Sequence, residues 1–463
     1  MKIYNTLTNK KEEFVPIEKD KVKIYSCGPT VYDYFHLGNA RPFIIFDTLR
    51  RYLEYRGYSV EFVQNFTDID DKMIKRANSE GITVKELADR FIKEYYTDAG
   101  GLKIKKATVH PRATEVIPEI IDMCERLIEN GYAYEANGDV YFSTKKFKPY
   151  GKLSHQPLED LEAGARIDVN DVKKDPMDFA VWKAKKEGEP FWESPWGEGR
   201  PGWHIECSAM VNKYLGKTID IHCGGKDLAF PHHENEIAQS EAANGVEFSH
   251  YWMHNGYINI DNKKMSKSLG NFFTVRDLAK KFSYDVIRFF MLSAHYRSPI
   301  NFSDELLTQS QKGLERITTC IENLEFLKGK IKDEEITAEE KAQLDSFRES
   351  FISHMDDDLN TADAISDIFE AVRVINAKMS ENPTSGYRDY AAKILDELTG
   401  VLGIAQPKET SDADEDKINE LIAKRAEFKK QKDFKSADAV RDELAKMGIE
   451  IKDTREGVKW KRI

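Results

Sequence analysis

The chain has 463 residues, of which 40% are hydrophobic and 11% aromatic, and its formal net charge is −11 at pH 7. This length exceeds what one hydrophobic core supports and predicts roughly three or four domains. The acidic balance excludes non-specific adhesion to nucleic acid, but a local basic patch can still bind a specific partner.

No apolar run approaches the ~20 residues of a membrane span, and the N-terminus has no signal-peptide pattern. The five cysteines are scattered and odd in number, which argues against a disulfide framework. We therefore expect a cytoplasmic protein without membrane contact, in which some thiols bind a metal.

The first part of the chain predicts the opening of a parallel α/β sheet. An apolar strand over Val22–Ser26 is followed by a helix over Asn39–Arg56 and a second strand over Tyr58–Phe66. This order is typical of a doubly wound, Rossmann-like sheet. Ligands of such sheets bind at the carboxyl ends of the strands, where Cys27 and His36 follow.

Beyond this opening the sequence changes character. A helix over Glu115–Asn130 and turn-rich, β-like segments predict an insertion, after which strand patterns resume at Lys217–Cys223 and Tyr257–Ile260. Residues 304–403 have apolar positions at helical spacing, which predicts a helical bundle. The charged helices and strand pair expected over 417–463 predict a small α+β domain.

The turn His36-Leu-Gly-Asn39 lies where the first strand passes into the first helix. The N-terminus of a helix attracts phosphate, and Gly38 allows close approach of a nucleotide. His36 and Asn39 have side chains that donate to phosphate oxygens. The alternative is an ordinary strand-to-helix turn with a capping asparagine.

A second phosphate-binding candidate is Lys264-Met-Ser-Lys-Ser268. Its two ammonium groups can cancel the negative charge that develops on a leaving pyrophosphate, which is most of the catalysis in such transfers. We expect Lys267 to stabilise this leaving group and Lys264 to assist. The alternative is a solvated basic loop, which the presence of the His36 turn disfavours.

Cys27, Cys207, His232 and Glu236 carry the thiolate, imidazole and carboxylate groups that zinc binds. Spacing alone does not select these four, because three come from separate segments. Cys223 and His222 are alternative ligands, and a buried cysteine is more often a small hydrophobic residue. The metalloprotease pattern His-Glu-x-x-His fails, because Ile237 stands where its second histidine belongs.

Several segments together resemble the motifs of class I aminoacyl-tRNA synthetases, and specifically of the cysteinyl-tRNA synthetase family. They are Cys27-Gly-Pro-Thr-Val-Tyr-Asp33, His36-Leu-Gly-Asn39, Gly202-Trp-His-Ile-Glu-Cys-Ser-Ala-Met210, Phe230-Pro-His-His-Glu-Asn-Glu-Ile-Ala-Gln239, Lys264–Ser268 and Asp356–Thr361. The family pattern His-Ile-Gly-His ends here in Asn39, which keeps a hydrogen-bond donor but weakens any role that needs an imidazolium.

The resemblance implies ATP-dependent ligation of L-cysteine to tRNA(Cys) through a cysteinyl-adenylate, with Mg-ATP as substrate. It also implies one zinc ion per chain, held by the four residues above, that binds the substrate thiolate and selects against serine. The implied catalytic residues are His36, Asn39, Lys264 and Lys267. The implied ATP-binding residues are these four with Pro29, Thr30, Gly38, Met265, Ser266 and Ser268, and the implied cysteine-binding residues are Thr67, Trp203 and Asp227.

The resemblance also implies a division of the chain and a partner. The expected parts are a Rossmann-like catalytic domain (1–111 and 201–260), a connective insertion (112–200), the lysine loop with a stem-contact region (261–303), a helical bundle (304–403), an acidic linker (404–416) and an anticodon-binding domain (417–463). The residues expected to contact tRNA are Lys424, Arg425, Lys429, Lys430, Lys432, Lys435 and Trp460. The alternative for them is a charged surface helix.

We expect a monomer, and three other functions are weighed against this one. A ligase that passes activated cysteine to a small amine would lack the C-terminal domain. A non-catalytic descendant that binds tRNA or zinc would have lost lysines from the Lys264–Ser268 loop. A generic nucleotidyltransferase of the same fold would lack the four dispersed zinc ligands.

Overall fold

The computed structural model describes residues 1–155, 172–260, 263–264, 273–405, 412–454 and 457–462. The chain divides into two compact units. The first comprises Met1–Leu314, Ser350–Ser366 and Val401–Ile404, and the second comprises Glu315–Glu349, Asp367–Gly400 and Ala405–Ile463. None of the helices that the structure describes is long and apolar enough to cross a membrane.

The strands and helices follow in chain order. The strands are β1 (Lys2–Asn5), β2 (Lys10–Glu13), β3 (Lys21–Ser26), β4 (Ser59–Gln64), β5 (Ala133–Ala136), β6 (Asp139–Phe142), β7 (Phe179–Ala184), β8 (Gly199–Pro201), β9 (Ile219–Gly225), β10 (Ser249–Asn255), β11 (Ile258–Ile260), β12 (Lys263–Lys264), β13 (Ile300–Phe302), β14 (Ile449–Thr454) and β15 (Gly457–Arg462). The α-helices are α1 (Leu37–Tyr55), α2 (Asp71–Glu80), α3 (Val84–Gly101), α4 (Ile117–Glu129), α5 (Ile205–Tyr214), α6 (Glu234–Asn244), α7 (Val275–Ala279), α8 (Tyr284–Leu292), α9 (Asp304–Phe326), α10 (Ala338–Asp356), α11 (Thr361–Glu381), α12 (Ser385–Leu402), α13 (Asp412–Lys430) and α14 (Phe434–Lys446).

The centre of the first unit is a parallel sheet in the order β10-β9-β3-β4, which confirms the predicted α/β fold class. Ser26 at the end of β3 pairs with Gln64 of β4 and with Cys223 of β9, so the strands end at a common edge. Cys27 follows directly at this edge. The sheet therefore presents the segments that follow its strands to one site.

The strand β10 was missed by the sequence analysis, whereas the strand predicted at Tyr257–Ile260 is confirmed over Ile258–Ile260. Buried parallel strands are usually continuous runs of aliphatic residues, whereas β10 contains polar residues such as His254 and Asn255. Both are nevertheless buried, at 7% and 3% exposure. Ile258–Ile260 forms β11 of a separate small sheet in the order β12-β11-β13.

The predicted insertion contains α4 and an antiparallel sheet in the order β5-β6-β7-β8. The side chains of Phe142 and Trp182 are fully buried in it. The segment Tyr150–Leu153, expected to be β-like, instead forms turns, and the Tyr150 N–H donates to the carbonyl of Phe147 at 2.9 Å.

The predicted helices beyond residue 304 are confirmed as α9 to α14. Asn360 caps α11, and its Oδ1 accepts the Asp363 N–H at 3.2 Å. In the second unit, α13 and α14 pack on the β14–β15 hairpin through a small apolar core that includes Ile418, Leu444 and Ile449. The charged helices and strand pair of the tail are thus as predicted.

Candidate metal centre and nucleotide site

The four residues proposed as metal ligands meet at the carboxyl edge of the parallel sheet. Cys27 follows β3, Cys207 lies in the first turn of α5, and His232 and Glu236 are one turn apart at the start of α6. One ligand atom from each of the four lies within 4.8 Å of the others, and all four side chains are buried. The fold therefore brings together residues that are up to 209 positions apart.

The separations suit a tetrahedral zinc site. His232 Nε2 lies 3.0 Å from Glu236 Oε1, Cys27 Sγ lies 3.5 Å from the same oxygen, and Cys207 Sγ lies 3.7 Å from His232 Nε2. Ligands bound tetrahedrally at normal zinc distances are about 3.3–3.8 Å apart, so the two cysteine separations match and the His232–Glu236 pair is closer. Two thiols, an imidazole and a carboxylate within 4.8 Å of one another fit zinc in their chemistry.

The electrostatics favour the metal-binding ionised form of two of the four residues, Cys207 and Glu236. A hydrogen bond from Cys27 lowers the pKa of Cys207 to about 6, although burial acts in the opposite direction. Burial would raise the pKa of Glu236, but the neighbouring His222 and His232 lower it to about 2. Because zinc binds thiolate and carboxylate rather than their protonated forms, these two shifts reduce the proton loss that metal binding requires. The other two ligands lose a proton when zinc binds: burial raises the pKa of the Cys27 thiol, and the Glu236 carboxylate, against the effect of burial, raises the pKa of His232 to about 10.

A second set of donors shares two members with the first. Cys27, His222, His233 and Glu236 also lie within 4.8 Å of one another. Its two histidines are at 0% exposure. In the first set, His232 lies beneath Trp203, whose ring stacks on it at 4.4 Å and is 43% exposed. The first set is therefore nearer to solvent, as a site that must admit a substrate requires.

The two additional histidines are suited to support the first set. His222 Nε2 lies 2.9 Å from Glu236 Oε2, and His233 Nε2 lies 3.2 Å from Cys27 Sγ. Behind them, His233 Nδ1 lies 2.8 Å from His254 Nε2. Hydrogen bonds of this kind orient metal ligands and tune their basicity. His222 was weighed as a ligand from the sequence, His233 was considered only as the first histidine of the rejected metalloprotease pattern, and His254 was not singled out.

Replacement of His222 by leucine is expected to weaken zinc binding about 10–100-fold, because Glu236 loses the donor that orients it. His222→Gln, which keeps an N–H donor, should lose less. Competition with a chromogenic chelator measures both affinities. Equal zinc affinity in the His222→Leu variant and the unaltered protein would show that this hydrogen bond does not support the metal site.

The residues expected to bind cysteine differ in their surroundings. Thr67 is 3% exposed, and its hydroxyl donates to Glu206 Oε2 at 3.1 Å. Trp203 covers His232, as described above. Asp227 lies on the wall of a cavity of about 680 Å³, together with Lys226 and Tyr257. Asp227 alone of the three lines this cavity, so the structure does not place all three predicted residues around one volume.

A chain of hydrogen bonds joins the segments that follow the two cysteines. The Gly28 N–H donates to Asn65 Oδ1 at 2.8 Å, Asn65 Nδ2 donates to the Thr67 hydroxyl at 3.3 Å, and that hydroxyl donates to Glu206. Gly28 follows Cys27, and Glu206 precedes Cys207. Glu206 is fully buried, and the sequence analysis did not identify it, because its role depends on contacts between distant segments.

Gly28→Ala is expected to destabilise the protein by at least about 3 kcal/mol, the upper end for overpacking, and to displace Cys27. A Cβ atom at this position would lie 1.7 Å from the Asn65 carbonyl oxygen. The matched control is Gly100→Ala in α3, where a Cβ atom has open space. The thermal unfolding temperature and the zinc content should both fall for Gly28→Ala and remain normal for the control. A normal zinc content in Gly28→Ala would contradict the prediction.

The His36 turn caps α1, which begins two residues earlier than predicted. His36 Nδ1 accepts the Asn39 N–H at 3.3 Å, so His36, rather than Asn39, is the capping residue. An acceptor Nδ1 leaves the ring proton on Nε2, which is then a donor. The Leu37 N–H already donates to the Phe273 carbonyl at 3.1 Å. Any phosphate contact here depends mainly on side chains and the helix dipole.

The described residues on the two sides of the lysine motif have different contacts, and those that follow it contact the His36 turn. Lys264 lies on β12 and pairs with Asn259 of β11. Met265, Ser266, Lys267 and Ser268 lie outside the described residues. The chain resumes at Phe273, and the next residue, Thr274, forms a β-bridge with His36. The carboxyl end of the loop segment is therefore adjacent to the His36 turn, and Pro29 and Thr30 lie on the neighbouring loop after β3, where Thr30 bridges Thr67.

The lysines expected to contact tRNA are mostly exposed. Lys424, Lys430, Lys432 and Lys435 are exposed on or near α13 and α14. Arg425 is different, because it is 6% exposed and its guanidinium forms two hydrogen bonds with Asp453, at 2.8 and 3.0 Å. Lys429 also pairs with Asp453, at 2.6 Å.

These contacts give Arg425 a role within the domain, so the predicted phosphate contact does not extend to it. Burial and a bidentate carboxylate partner leave its guanidinium little capacity for an external anion. The predicted stacking of Trp460 concerns a side chain outside the described residues. Only its backbone is described, on β15 opposite Ile451.

Comparison with known proteins identifies the family. The family model for the catalytic domain of class I (C) tRNA synthetases matches residues 13–312, a DALR domain matches 350–406, and a cysteinyl-tRNA ligase anticodon binding domain matches 413–460. A cysteine--tRNA ligase of Clostridioides difficile (strain 630) is 62% identical over 469 residues, covering all of both chains.

The chain belongs to the cysteine--tRNA ligase family. The predicted family and enzyme class are confirmed: it is a class I aminoacyl-tRNA synthetase. Solved class I synthetases share the fold of this ligase at low identity. Mycobacterium tuberculosis methionyl-tRNA synthetase in complex with methionyl-adenylate has a TM-score of 0.60 at 16% identity, covering 83% of this chain and 90% of that one. The Agrobacterium radiobacter K84 agnB2 LeuRS-tRNA-LeuAMS complex has a TM-score of 0.60 at 12% identity, covering 84% of each chain.

Proposed function

We propose that this chain ligates L-cysteine to tRNA(Cys) in two steps. The cysteine carboxylate attacks the α-phosphorus of Mg-ATP and displaces pyrophosphate, which forms cysteinyl-adenylate. The terminal ribose hydroxyl of the tRNA then attacks the cysteinyl carbonyl carbon, and AMP leaves. The observation that carries the proposal is the convergence of Cys27, Cys207, His232 and Glu236 at the same sheet edge as the His36 turn.

In the proposed mechanism the chain positions substrates and neutralises charge, and none of its side chains forms a covalent intermediate. His36 Nε2 and the Asn39 amide donate to phosphate oxygens of ATP. Lys264 and Lys267 bind the departing pyrophosphate and stabilise its developing charge. Asn39 remains a donor at any pH, so this contact does not depend on protonation.

Selection of cysteine is proposed to depend on the four-donor cluster. Zinc, when bound there, supplies a soft Lewis acid that prefers a thiolate to a hydroxyl. Shape alone separates cysteine from serine by only ~1–3 kcal/mol. Thr67 and Trp203 flank the cluster, and the Asp227 carboxylate is suited to hold the substrate ammonium group. No separate editing site is then needed.

The C-terminal parts are proposed to bind the tRNA, with the domain division as predicted from the sequence. The match of residues 413–460 to a cysteinyl-tRNA ligase anticodon binding domain supports this role. The exposed lysines 430, 432 and 435 suit contacts to phosphates. A ligase that serves a small amine would not need this domain, so the match also disfavours that alternative.

Exchange of labelled pyrophosphate into ATP tests the proposed function. With the unaltered, zinc-loaded protein we expect exchange that depends on cysteine and is undetectable with serine at the same concentration. Charging of a tRNA(Cys) transcript tests the second step. Absence of cysteine-dependent exchange in a folded, zinc-loaded protein would contradict activation, and equal exchange with serine would contradict the role of the metal in selection.

A further inference from the structure

The side chain of Arg41 is fully buried one turn into α1, five residues after His36. Its guanidinium donates four hydrogen bonds, all to backbone carbonyls. Nη1 donates to the carbonyls of Gly256 and Tyr257, both at 2.8 Å, and Nη2 donates to those of Ser298 and His295, at 2.6 and 3.3 Å. At 0% exposure the side chain cannot touch a substrate, so any effect on catalysis is exerted through these carbonyls.

The four carbonyls belong to two turns that lead into paired strands. Gly256 and Tyr257 immediately precede β11, and His295 and Ser298 lie just before β13, which is parallel to β11. The backbones of the two turns approach closely at Gly256, where a Cβ atom would lie 2.6 Å from the Arg297 carbonyl oxygen. Arg41 therefore attaches the beginnings of both strands to α1.

These strands form the base of the lysine loop. β11 pairs with β12, and β12 contains Lys264, the first residue of the proposed catalytic loop. The described residues begin again at Phe273, whose carbonyl accepts the Leu37 N–H at the start of α1. The helix that carries His36 is thus bonded to both ends of the segment that carries the catalytic lysines, at one end through Arg41.

Arg41 differs in charge pairing from the other fully buried arginine of this unit, Arg288. Arg288 donates to the Asp47 carboxylate at 2.6 Å and to the carbonyls of Leu102 and Leu402. Among the residues that the structure describes, no carboxylate pairs with Arg41, and burial lowers its pKa to about 10. A buried charge without a carboxylate partner is costly, so packing alone does not account for an arginine at this position.

We infer that Arg41 is a positioning residue that sets the separation between the His36 end of α1 and the base of the Lys264 loop. This inference rests on the proposed nucleotide site, in which both motifs contact the phosphates of ATP. A shift of either motif by about 1 Å would misalign the α-phosphorus and the leaving pyrophosphate, which can cost about 10²-fold in rate. The four-donor cluster lies on other elements, so zinc binding and recognition of the substrate thiol should not depend on Arg41.

The test compares Arg41→Lys and Arg41→Met with Arg288→Lys as the matched control. Lysine keeps the charge but cannot donate hydrogen bonds to four carbonyls in two turns. Methionine removes the charge and keeps a long unbranched side chain. Pyrophosphate exchange is measured over a range of ATP and of cysteine, with zinc content and thermal unfolding determined for each protein. We expect kcat/KM for ATP to fall about 10²-fold in both Arg41 variants. Zinc content should match the unaltered protein, and kcat/KM for cysteine should fall less than that for ATP.

The control separates positioning from stability. Arg288→Lys should lower the unfolding temperature at least as much, because it disturbs a buried ion pair, while its KM values for ATP and cysteine stay equal to those of the unaltered protein. A loss of kcat/KM that is specific to ATP, and that occurs in the Arg41 variants but not in Arg288→Lys, supports the inference. Unchanged ATP kinetics in folded Arg41→Lys, or equal losses for both substrates, would overturn it. Absence of exchange in the unaltered protein would instead overturn the proposed function.

Discussion

Cys207→Ala is expected to lose its zinc and, with it, cysteine-dependent pyrophosphate exchange. Loss of an outer hydrogen-bond partner typically costs a metal site 10–100-fold in affinity, and loss of a thiolate ligand should cost more than about 10²-fold. Zinc content by atomic absorption and exchange activity are measured on the same preparation. The matched control is Cys124→Ala, which removes a fully buried thiol from the insertion, away from both donor sets.

The same experiment distinguishes the two possible donor sets. Cys207 and His232 belong only to the first set, whereas His222 and His233 belong only to the second. Zinc at normal stoichiometry and affinity in Cys207→Ala, together with its loss in His233→Ala, would assign the metal to the second set. That outcome would contradict the proposed ligands and leave the family assignment intact.

Lys267→Ala is expected to lower kcat for pyrophosphate exchange by about 10²–10³-fold, the typical effect of removing one group that stabilises developing negative charge. Zinc content and KM for cysteine should stay normal, because the lysine acts on the phosphates. The control is Lys263→Ala, a neighbouring lysine on β12 that lies outside the proposed catalytic set. Steady-state exchange over a range of cysteine concentrations gives kcat and KM for the two variants and the unaltered protein.

A result in which Lys263→Ala and Lys267→Ala lose activity equally would contradict a specific role for Lys267. It would favour the alternative of a basic loop that attracts ATP by its total charge. Salt dependence gives a second check, because attraction by exposed charge is screened within about 10 Å at 0.1 M salt. A contact made in the transition state should retain most of its effect at that salt concentration.

The site motifs and some of the secondary structure could be predicted from the sequence, and individual segments show why. The segments around Cys27, Cys207 and His232 are long and specific, so their resemblance to a family could be recognised without coordinates. The helix α1 and the strands β3 and β9 follow from apolar runs and their spacing. The strand β10 does not, because its polar residues are buried by contacts that periodicity cannot reveal.

Residue identity and motif order in the sequence determined the family, the fold class and the chemical types of the proposed ligands. The family, the fold class and the ligand types follow from local sequence patterns, which can be recognised without knowing which distant residues are in contact. The choice of His36 as the helix cap, the placement of His222 and His233 behind the metal ligands, and the four carbonyls around Arg41 were decided only by the tertiary structure. The His36 cap is a local contact, but the bonds of His233 to Cys27 and of Arg41 to its four carbonyls join residues more than two hundred positions apart, and no spacing along the chain encodes such a contact.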